Sequence, residues 1–439
     1  MISAPKLASN RVTAVNGHAG IQKRKGVQFV HRIRFQLLGG IILAVIVPGL
    51  MRWPPSSFVP VSGMNSLQSA IIGSFLALIL GYWALRQVIG YPGVQATQYI
   101  APIFSVSYAL IILVFFFLRI DYSRYQFGAS FIVAIVWFYA CFFLSRRALR
   151  QCFALAAPGD TKGLKDIDDV DWIALKRPIE PDQSIDGIVV DLRSNLSDEW
   201  GQFLAKSALK GIPIYHVKQM AEALTGMVEI EHLSENSLGS VLPSLLYMRL
   251  KRLVDLGLVV MLAPFFMIII GLAALLIKLD SEGPVFFFQP RMGFRGEPFE
   301  MIKLRTMQVD AGEAGSKFTE ENDPRITRVG RILRKFRIDE LPQIVNIFAG
   351  DMSWIGPRPE AVELSEWYER DIPFYSYRHI VRPGISGWAQ VHQGNVAQVE
   401  AATYKLHYDF YYIKHFSPWL DALITAKTIR TILTGFGSK

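Results

Sequence analysis

Charged residues and cysteines are scarce in this chain of 439 residues. Only 19% of the residues are Asp, Glu, Lys or Arg, whereas soluble domains average about 25%. Hydrophobic residues make up 51%, and the mean hydropathy is +0.27. This composition excludes a soluble single-domain enzyme and a disordered or fibrous chain. The two cysteines, Cys141 and Cys152, are too few for a disulfide framework or a zinc site.

Acidic residues are absent from residues 1–34, which contain seven Lys and Arg residues. This segment therefore holds +7 of the chain's net charge of +9, and the rest of the chain is nearly balanced. Such a local charge predicts a basic cytoplasmic tail, and it does not predict a surface that binds nucleic acid. We expect no cleaved signal peptide, because no small-residue cleavage site directly follows a short apolar core.

Four apolar runs follow the tail, each near the roughly 20 residues that a bilayer requires. They cover residues 35–51, 67–85, 99–118 and 125–145. Basic residues before the first run and after the fourth place both ends in the cytoplasm. No Asp, Glu or Lys lies inside the runs, which disfavours a transporter. We therefore predict a four-helix transmembrane region over residues 35–145 that serves as an anchor or dimerisation element.

Residues 146–246 have the character of a soluble segment. Short strands are predicted at 188–190 and 212–215, with a helix between them that Ser197 caps and Gly211 ends. This pattern predicts a degenerate Rossmann-like α/β segment. Because no G-x-G-x-x-G fingerprint is present, the sequence assigns it no dinucleotide.

A fifth apolar run covers residues 256–277 and contains no charged residue. Lys and Arg residues flank both ends, which places both ends in the cytoplasm. Pro264 lies inside the run, where it removes a helical hydrogen bond and bends the chain. These features predict a re-entrant helix that breaks near Pro264, and a fifth spanning helix is the alternative.

Beyond residue 280, Arg328, Arg331 and Arg334 recur every third residue. This spacing is typical of side chains on one helical face, and arginine forks suit phosphate oxygens. A solvated basic face is the alternative, because it has the same spacing.

A pair of adjacent acids, Asp339 and Glu340, follows the arginines, with Pro342 and Gly350 suited to the start and the end of a helix. Next to an arginine row, the pair predicts a phosphate site in which one carboxylate holds Mg²⁺ and the other attacks phosphorus. Helix-capping acids are the structural alternative. Arg358 lies between two prolines, in a stiff turn that suits a preorganised phosphate ligand.

Aromatic and basic residues alternate over residues 404–434, and a helix is predicted from about Pro418. Such a segment is typical of a helix in the membrane interface. Ordinary core packing is the alternative.

From about residue 247 to residue 439 the chain resembles the bacterial sugar transferases, monotopic enzymes that transfer a hexose 1-phosphate to a polyprenyl phosphate. The motifs that carry the resemblance are KRLVD (251–255), SEGPVFFFQPRMG (281–293), FEMIKLRTM (299–307), RITRVGRILRKFRIDELPQIVNIFAGDMSWIGPRPE (325–360) and RPGISGWAQV (382–391). The resemblance implies a mainly α (α+β) catalytic domain over 247–439 with a re-entrant membrane helix. The four spans and the segment 146–246 resemble the large, exopolysaccharide-type members.

The resemblance also implies site residues. It implies Asp339 as the nucleophile, Glu340 as a Mg²⁺ ligand, and Arg334 and Arg358 as ligands of the substrate phosphates. The further candidates are Arg331, Lys303, Arg305 and Gln390 as phosphate-binding residues and Asp409 as a metal or substrate ligand.

The implied reaction has two steps. Asp339 attacks the sugar-bearing phosphorus of a UDP-sugar and expels UMP, and undecaprenyl phosphate then attacks the aspartyl phosphosugar. The resemblance implies UDP-glucose as the commonest donor, UDP-galactose as the next, and Mg²⁺ as the cofactor. It also implies the bacterial inner membrane, with the catalytic domain on its cytoplasmic face and a homodimer as a candidate assembly. A membrane-anchored nucleotide-binding regulator is the alternative, but an inert domain would not need the DELPQ and GPRPE motifs.

Overall fold

The computed structural model describes residues 33–51, 66–91, 96–146, 151–229, 243–308, 323–393 and 399–434, apart from positions 160, 162, 166, 168, 169, 182, 184 and 324. The chain divides into two compact units, Met1–Leu224 and Thr225–Lys439. The predicted basic tail up to residue 32 and the loop 52–65 lie outside the described residues. Their side of the membrane stays a prediction.

The first unit contains four apolar helices at the four predicted runs. They are α1 (Ile33–Leu50), α2 (Ser66–Ile89), α3 (Ala96–Phe117) and α4 (Arg124–Arg146). Each is long and apolar enough to cross a membrane. Helix α1 packs closely on α4, because a Cβ at Gly39 would lie 2.2 Å from the Trp137 ring. A π-helical segment, Ile41–Ile46, interrupts α1, and Gln126 Nε2 donates to its Val45 carbonyl at 2.7 Å.

A parallel sheet forms the α/β region, as predicted. Strands β1 (Cys152–Ala156), β2 (Asp171–Leu175), β3 (Gly187–Val190) and β4 (Ile214–His216) lie in the order β2-β1-β3-β4. Helix α5 (Asp198–Leu209) connects β3 to β4 and packs Trp200 on one face of the sheet. Helix α6 (Val217–Thr225) packs Met220 on the other face.

Helix α7 (Leu245–Asp280) opens the second unit and extends beyond the predicted segment 256–277 at both ends. The helix is not interrupted at Pro264, which lies inside it, and the predicted turn of the chain there stays a prediction. Side chains on both sides of Pro264 pack against the same body, so one lost hydrogen bond does not end the helix. Val259 contacts the cluster of Met301 and Ile347, and Ile277 contacts the cluster of Leu304 and Leu333.

The opposite side of α7 exposes large apolar side chains over its length. Val260, Phe265, Ile268, Leu272 and Leu276 are each at least half exposed. A helix that is apolar on both sides, but packed on only one, presents the other side to an apolar medium. Whether its two ends lie on one side of a membrane stays a prediction.

The rest of the second unit is mainly helical and consists of short elements. They are β5 (Phe286–Met292), a 3₁₀-helix at Phe294–Gly296, β6 (Pro298–Leu304), α8 (Arg328–Lys335), a 3₁₀-helix at Ile338–Gln343, α9 (Ile344–Ala349), β7 (Ser353–Ile355), α10 (Val362–Asp371), a 3₁₀-helix at Tyr375–Ile380, β8 (Gly384–Ser386), α11 (Trp388–Gln393), α12 (Val399–Lys414) and α13 (Pro418–Thr434). Strands β5 and β6 form an antiparallel hairpin, and β7 pairs with β8 in parallel.

The C-terminal aromatic residues belong mostly to the core. Phe410, Tyr411, Tyr412, Leu420 and Ile424 are buried. An interfacial helix would leave this apolar face uncovered, so the interpretation as core packing is correct for these residues.

Candidate active site

The segment that carries Asp339 and Glu340 is held against the β5–β6 hairpin. Gly330 of α8 approaches the end of β6 so closely that a Cβ there would lie 2.2 Å from the Thr306 carbonyl. Asn346 of α9 accepts from Ile302 N at 3.1 Å and donates to Glu300 O at 2.7 Å. The acids therefore lie beside the strand that carries Lys303.

The two acids begin a helical segment, as predicted, but its first six residues are a 3₁₀-helix. Arg337 turns the chain with a positive φ of 54° before Ile338. The α-helix proper begins at Ile344 and ends at Gly350, whose φ of 104° suits a glycine cap. Pro342 lies within the 3₁₀-helix and lacks the N–H that an α-helix would use.

Glu340 is buried among three cations. Its Oε1 accepts a hydrogen bond from Arg358 Nη2 at 2.8 Å, and Lys303 Nζ and Arg337 Nη1 each lie 3.9 Å from the same oxygen. Burial alone would raise the pKa of Glu340, but Arg358 and Lys303 outweigh it and lower this pKa to about 2. Glu340 is therefore a fixed anion that is already engaged by its partners.

Asp339 has a different environment. It is partly exposed, and burial together with the charge of Glu340 raises its pKa to about 6, although Lys303 and Arg334 act in the opposite direction. A carboxylate with this pKa is still mostly ionised at pH 7, and it is more basic than an ordinary aspartate. The pair thus combines one carboxylate held by cations with one that remains reactive.

Only one member of the predicted arginine row reaches the acids. Arg334 Nε donates to Thr306 Oγ1 at 2.8 Å, and its charge acts on Asp339. Arg328 and Arg331 are exposed. Residues three apart are 300° apart around an α-helix, about 60° short of a full turn. Each step of the row away from Arg334 therefore turns the side chain about 60° further from the site.

Lys303 lies on β6 and in the site, whereas Arg305, which follows the last residue of β6, contacts other groups. The buried Arg305 donates through Nη1 to Glu282 O at 2.6 Å and through Nη2 to Ser281 O at 2.8 Å. These bonds fix the chain that leaves α7. The predicted phosphate role of Arg305 stays a prediction.

Gln390 and Asp409 have hydrogen-bond partners other than the two acids. Gln390 Nε2 donates to Ile385 O at 3.3 Å. Asp409 is 1% exposed and accepts from Arg378 Nε at 3.1 Å and from Arg378 Nη2 at 2.9 Å. Its carboxylate is paired with a buried arginine, and its predicted role as a metal or substrate ligand stays a prediction.

Two arginines near the site were missed by the sequence reasoning. Arg291 Nη1 donates to Pro359 O at 3.1 Å, and burial and Arg358 lower the pKa of Arg291 to about 10. Arg378 Nη2 donates to Arg358 O at 2.8 Å. The signal for Arg291 was a lone arginine in the apolar strand FFFQPRM. For Arg378 no local signal exists, because its partners are distant in sequence.

The cluster has an excess of positive charge. Arg291, Lys303, Arg334, Arg337 and Arg358 surround the two carboxylates. An anion with two or more charges, such as a diphosphate, would balance this excess.

The donor set also fits Mg²⁺, although the described residues hold no group of three His, Cys, Asp or Glu. Proteins commonly hold this ion with one or two carboxylates and complete its coordination with substrate phosphates and water. The adjacent oxygens of Asp339 and Glu340 match that chemistry.

Comparison with known proteins gives consistent matches. The family profile described as bacterial sugar transferase matches residues 246–435. A UDP-N-acetylgalactosamine-undecaprenyl-phosphate N-acetylgalactosaminephosphotransferase of Aeromonas hydrophila is 44% identical over 403 residues, which cover 91% of this chain and 94% of the relative. A UDP-glucose:undecaprenyl-phosphate glucose-1-phosphate transferase of Caulobacter vibrioides is 41% identical over 198 residues, 45% of this chain and 74% of the relative. The enzyme of that name from Escherichia coli is 38% identical over 192 residues, 43% of this chain and 41% of the relative.

Proposed function

This chain belongs to the bacterial sugar transferase family, and on that premise we propose that it transfers a sugar 1-phosphate from a UDP-sugar to undecaprenyl phosphate. This transfer initiates the assembly of a polysaccharide on its lipid carrier. The observation that carries the proposal is the pair Asp339 and Glu340, in which adjacent carboxylates have opposite pKa shifts inside a cationic cluster. A nucleotide-binding regulator would have no use for a reactive carboxylate in that place.

The chemistry is two successive phosphoryl transfers. A carboxylate oxygen of Asp339 attacks the sugar-bearing phosphorus, the bond from that phosphorus to the bridging oxygen breaks, and UMP leaves with the electron pair. A phosphate oxygen of undecaprenyl phosphate then attacks the same phosphorus and releases the Asp339 carboxylate. The product is undecaprenyl diphosphate sugar, and the glycosidic C–O bond is never broken. A covalent intermediate allows the soluble and the lipid substrate to use one site in turn.

The surrounding residues neutralise the charge of the transferring group. Lys303 and Arg358 lie beside the carboxylates, and Arg334 lies beside Asp339. Fixed cations in a site with little water stabilise the charge that spreads over phosphate oxygens in the transition state. Glu340, which is ion-paired with Arg358, is a poor nucleophile and keeps these cations in position.

We propose Mg²⁺ as the cofactor, with Glu340 and Asp339 as the residues that would hold it together with diphosphate oxygens. When bound, the ion would supply further charge neutralisation at the diphosphate.

We propose UDP-N-acetylgalactosamine as the donor, in place of the UDP-glucose expected from the sequence. The relative named for N-acetylgalactosamine is similar to both units of this chain. The two glucose-1-phosphate transferases cover fewer than half of its residues.

We propose that the second unit is seated on the cytoplasmic face of the bacterial inner membrane, with both ends of α7 on that side. Packing of α7 on one body from Val259 to Ile277 supports this placement. The exposed Phe286, Phe287 and Phe288 lie on β5, and Phe287 pairs with Lys303 across the hairpin. An apolar surface next to a site lysine suits an acceptor with a charged head and an isoprenoid tail.

The test uses the full chain in lipid nanodiscs with undecaprenyl phosphate and Mg²⁺. UDP-N-acetylgalactosamine, UDP-glucose, UDP-galactose and UDP-N-acetylglucosamine are offered separately, and UMP and the lipid product are measured. We expect turnover mainly with UDP-N-acetylgalactosamine. A preference for UDP-glucose would contradict the proposed sugar and keep the transferase, whereas UMP release from none of the four would contradict the proposed function.

A further inference from the structure

Arg358 is oriented by a second, fully buried arginine. Arg378, whose side chain is 2% exposed, donates through Nη2 to the main-chain oxygen of Arg358 at 2.8 Å. Its Nε and Nη2 both bind Asp409 Oδ2, and its Nη1 donates to Tyr375 Oη at 3.0 Å. We propose that the pair Arg378–Asp409 is a positioning unit that sets the Arg358 guanidinium against Glu340. This inference rests on the proposed function, because Arg358 is taken there as a phosphate ligand.

The chain at Arg358 is held at three successive carbonyl groups. Arg378 binds the carbonyl of Arg358, Arg291 binds that of Pro359, and the amide of Met292 binds that of Glu360 at 2.9 Å. Lys405 forms an ion pair with the Glu360 carboxylate. Of these contacts, only the one from Arg378 reaches the peptide of Arg358 itself.

The turn before Arg358 is fixed by main-chain contacts. Gly356 N donates to Ser386 O at 2.8 Å, and Gly384 N donates to Pro357 O at 3.0 Å. A Cβ at Gly384 would lie 2.1 Å from Gly356 N. The segment therefore has one side locked by β8 and the other locked by Arg378, with the Arg358 side chain between them.

A buried ion pair is an inefficient way to gain stability. Desolvation of two charges offsets most of their attraction, and apolar side chains of the same volume often stabilise a fold as well or better. Arg378 is therefore better explained by what its planar guanidinium can do, which is to bind a carboxylate, a phenol and a carbonyl in a fixed geometry. A shift of about 1 Å in a group that contacts the reacting phosphate can cost roughly 100-fold in rate.

The experiment is a double-mutant cycle on the first half-reaction. Arg378→Lys, Arg358→Lys and the double variant are mixed with saturating UDP-sugar without lipid acceptor, and the single-turnover rate of UMP release is measured. We expect Arg378→Lys to slow release by roughly 10- to 100-fold with a small change in KM. The double variant should be no more than about 2-fold slower than Arg358→Lys, because Arg378 acts through Arg358. If the two losses multiply in the double variant, the proposal is overturned.

The control is an ion pair of the second unit that does not contact Arg358. Lys251 Nζ binds Asp421 Oδ2 at 2.5 Å, with 10% of the lysine side chain exposed. Lys251→Met should lower the unfolding temperature and leave the rate per folded enzyme within about 2-fold. Asp409→Asn, which keeps the shape of the side chain, replaces Arg378→Lys if that variant does not fold, and it should show the same lack of additivity with Arg358→Lys.

A measurement that does not depend on activity separates the two proposals. Amide hydrogen exchange in the peptide 356–361 should be faster in Arg378→Lys than in the wild type and unchanged in Lys251→Met. If exchange is faster in Arg378→Lys but the wild-type protein releases no UMP, the positioning unit is supported and the proposed function is contradicted. Unchanged exchange in Arg378→Lys would overturn the positioning unit whatever the activity.

Discussion

The charged groups beside the sheet of the first unit are paired differently from those around the acid pair of the second unit. At the carboxyl ends of the sheet strands, Asp191 accepts from Arg193 N at 3.0 Å and lies 3.4 Å from His216 Nε2. The carboxylate of Asp191 thus has its partners in the same region of the chain. In the second unit, five cations lie around Asp339 and Glu340. Among the described residues they outnumber these two acids and Glu360, which also acts on Arg291 and Arg358.

This difference identifies the site more reliably than the motif alone. Excess buried charge of one sign costs folding free energy, so a protein retains it where a ligand of opposite charge compensates it. The sheet has the strand order of a nucleotide-binding fold but no such imbalance among its described residues. The catalytic role is therefore assigned to the second unit, and each prediction below either breaks or sharpens that contrast.

Asp339→Asn has the largest expected effect. The amide keeps the shape of the side chain but is a very poor nucleophile, so UMP release should fall by about 10⁴-fold or more. The measurement is incubation with UDP-sugar labelled in the sugar, without lipid, followed by a search for label on the protein. Wild type should carry the label on Asp339 and the variant should carry none. An adduct on Glu340, or full turnover by Asp339→Asn, would show that the two acids have been assigned the wrong way round.

Glu340→Gln should be the next most damaging change. It removes the anion that holds Arg358 at 2.8 Å and one of two proposed oxygen ligands of Mg²⁺. The Mg²⁺ concentration for half-maximal rate should rise by about 10-fold or more, and the rate at saturating Mg²⁺ should still be low. The check is a Mg²⁺ titration of wild type and variant after treatment with EDTA. A variant with the wild-type Mg²⁺ dependence would remove Glu340 from the proposed ligand set.

The large elements were predictable from sequence because each has a local signal. Apolar runs of about 20 residues predicted α1 to α4. A short apolar run at 188–190, an apolar helical face that Gly211 ends, and the run 212–215 predicted β3, α5 and β4. The helix continues through Pro264, because Val259 and Ile277 on either side of the proline pack in the core, and no local pattern shows this packing.

The site was predictable only where its residues are close in sequence or in a recognisable motif. Asp339, Glu340, Lys303, Arg334 and Arg358 do come together. Arginine and aspartate, which suit phosphate or metal, also form buried hydrogen bonds and ion pairs that hold the fold together. Their spacing in the sequence does not distinguish the two uses. Arg305 and Asp409 have internal partners in the fold, and their predicted roles at phosphate or metal stay predictions. Arg378 lies 31 residues from its carboxylate partner, so only the folded structure reveals it.

Arg334→Lys and Arg331→Lys form a matched pair within one helix. A lysine at 334 keeps the charge but lacks the Nε–H that binds Thr306 Oγ1 and the fork that suits phosphate. We expect UMP release to slow by about 10-fold at 334 and by less than about 2-fold at the exposed position 331, since lost charge-assisted hydrogen bonds cost about 1.5–3 kcal/mol. Equal losses in single-turnover assays would mean that the whole arginine row contacts substrate, against the geometry of α8.

Asp191→Asn should have the smallest effect on the reaction, and it tests the contrast from the side of the sheet. The amide keeps the acceptor oxygen for Arg193 N and loses the charge that faces His216, whose side chain is 20% exposed. Pairs of this exposure contribute about 0.2–1 kcal/mol, so the unfolding temperature should fall by a few degrees at most. UMP release by the folded variant should stay within about 2-fold of wild type, because Asp191 contacts groups beside the sheet and is not one of the residues around Asp339 and Glu340. A tenfold loss of rate with an unchanged unfolding temperature would show that the sheet takes part in the reaction, and the assignment of catalysis to the second unit alone would then be wrong.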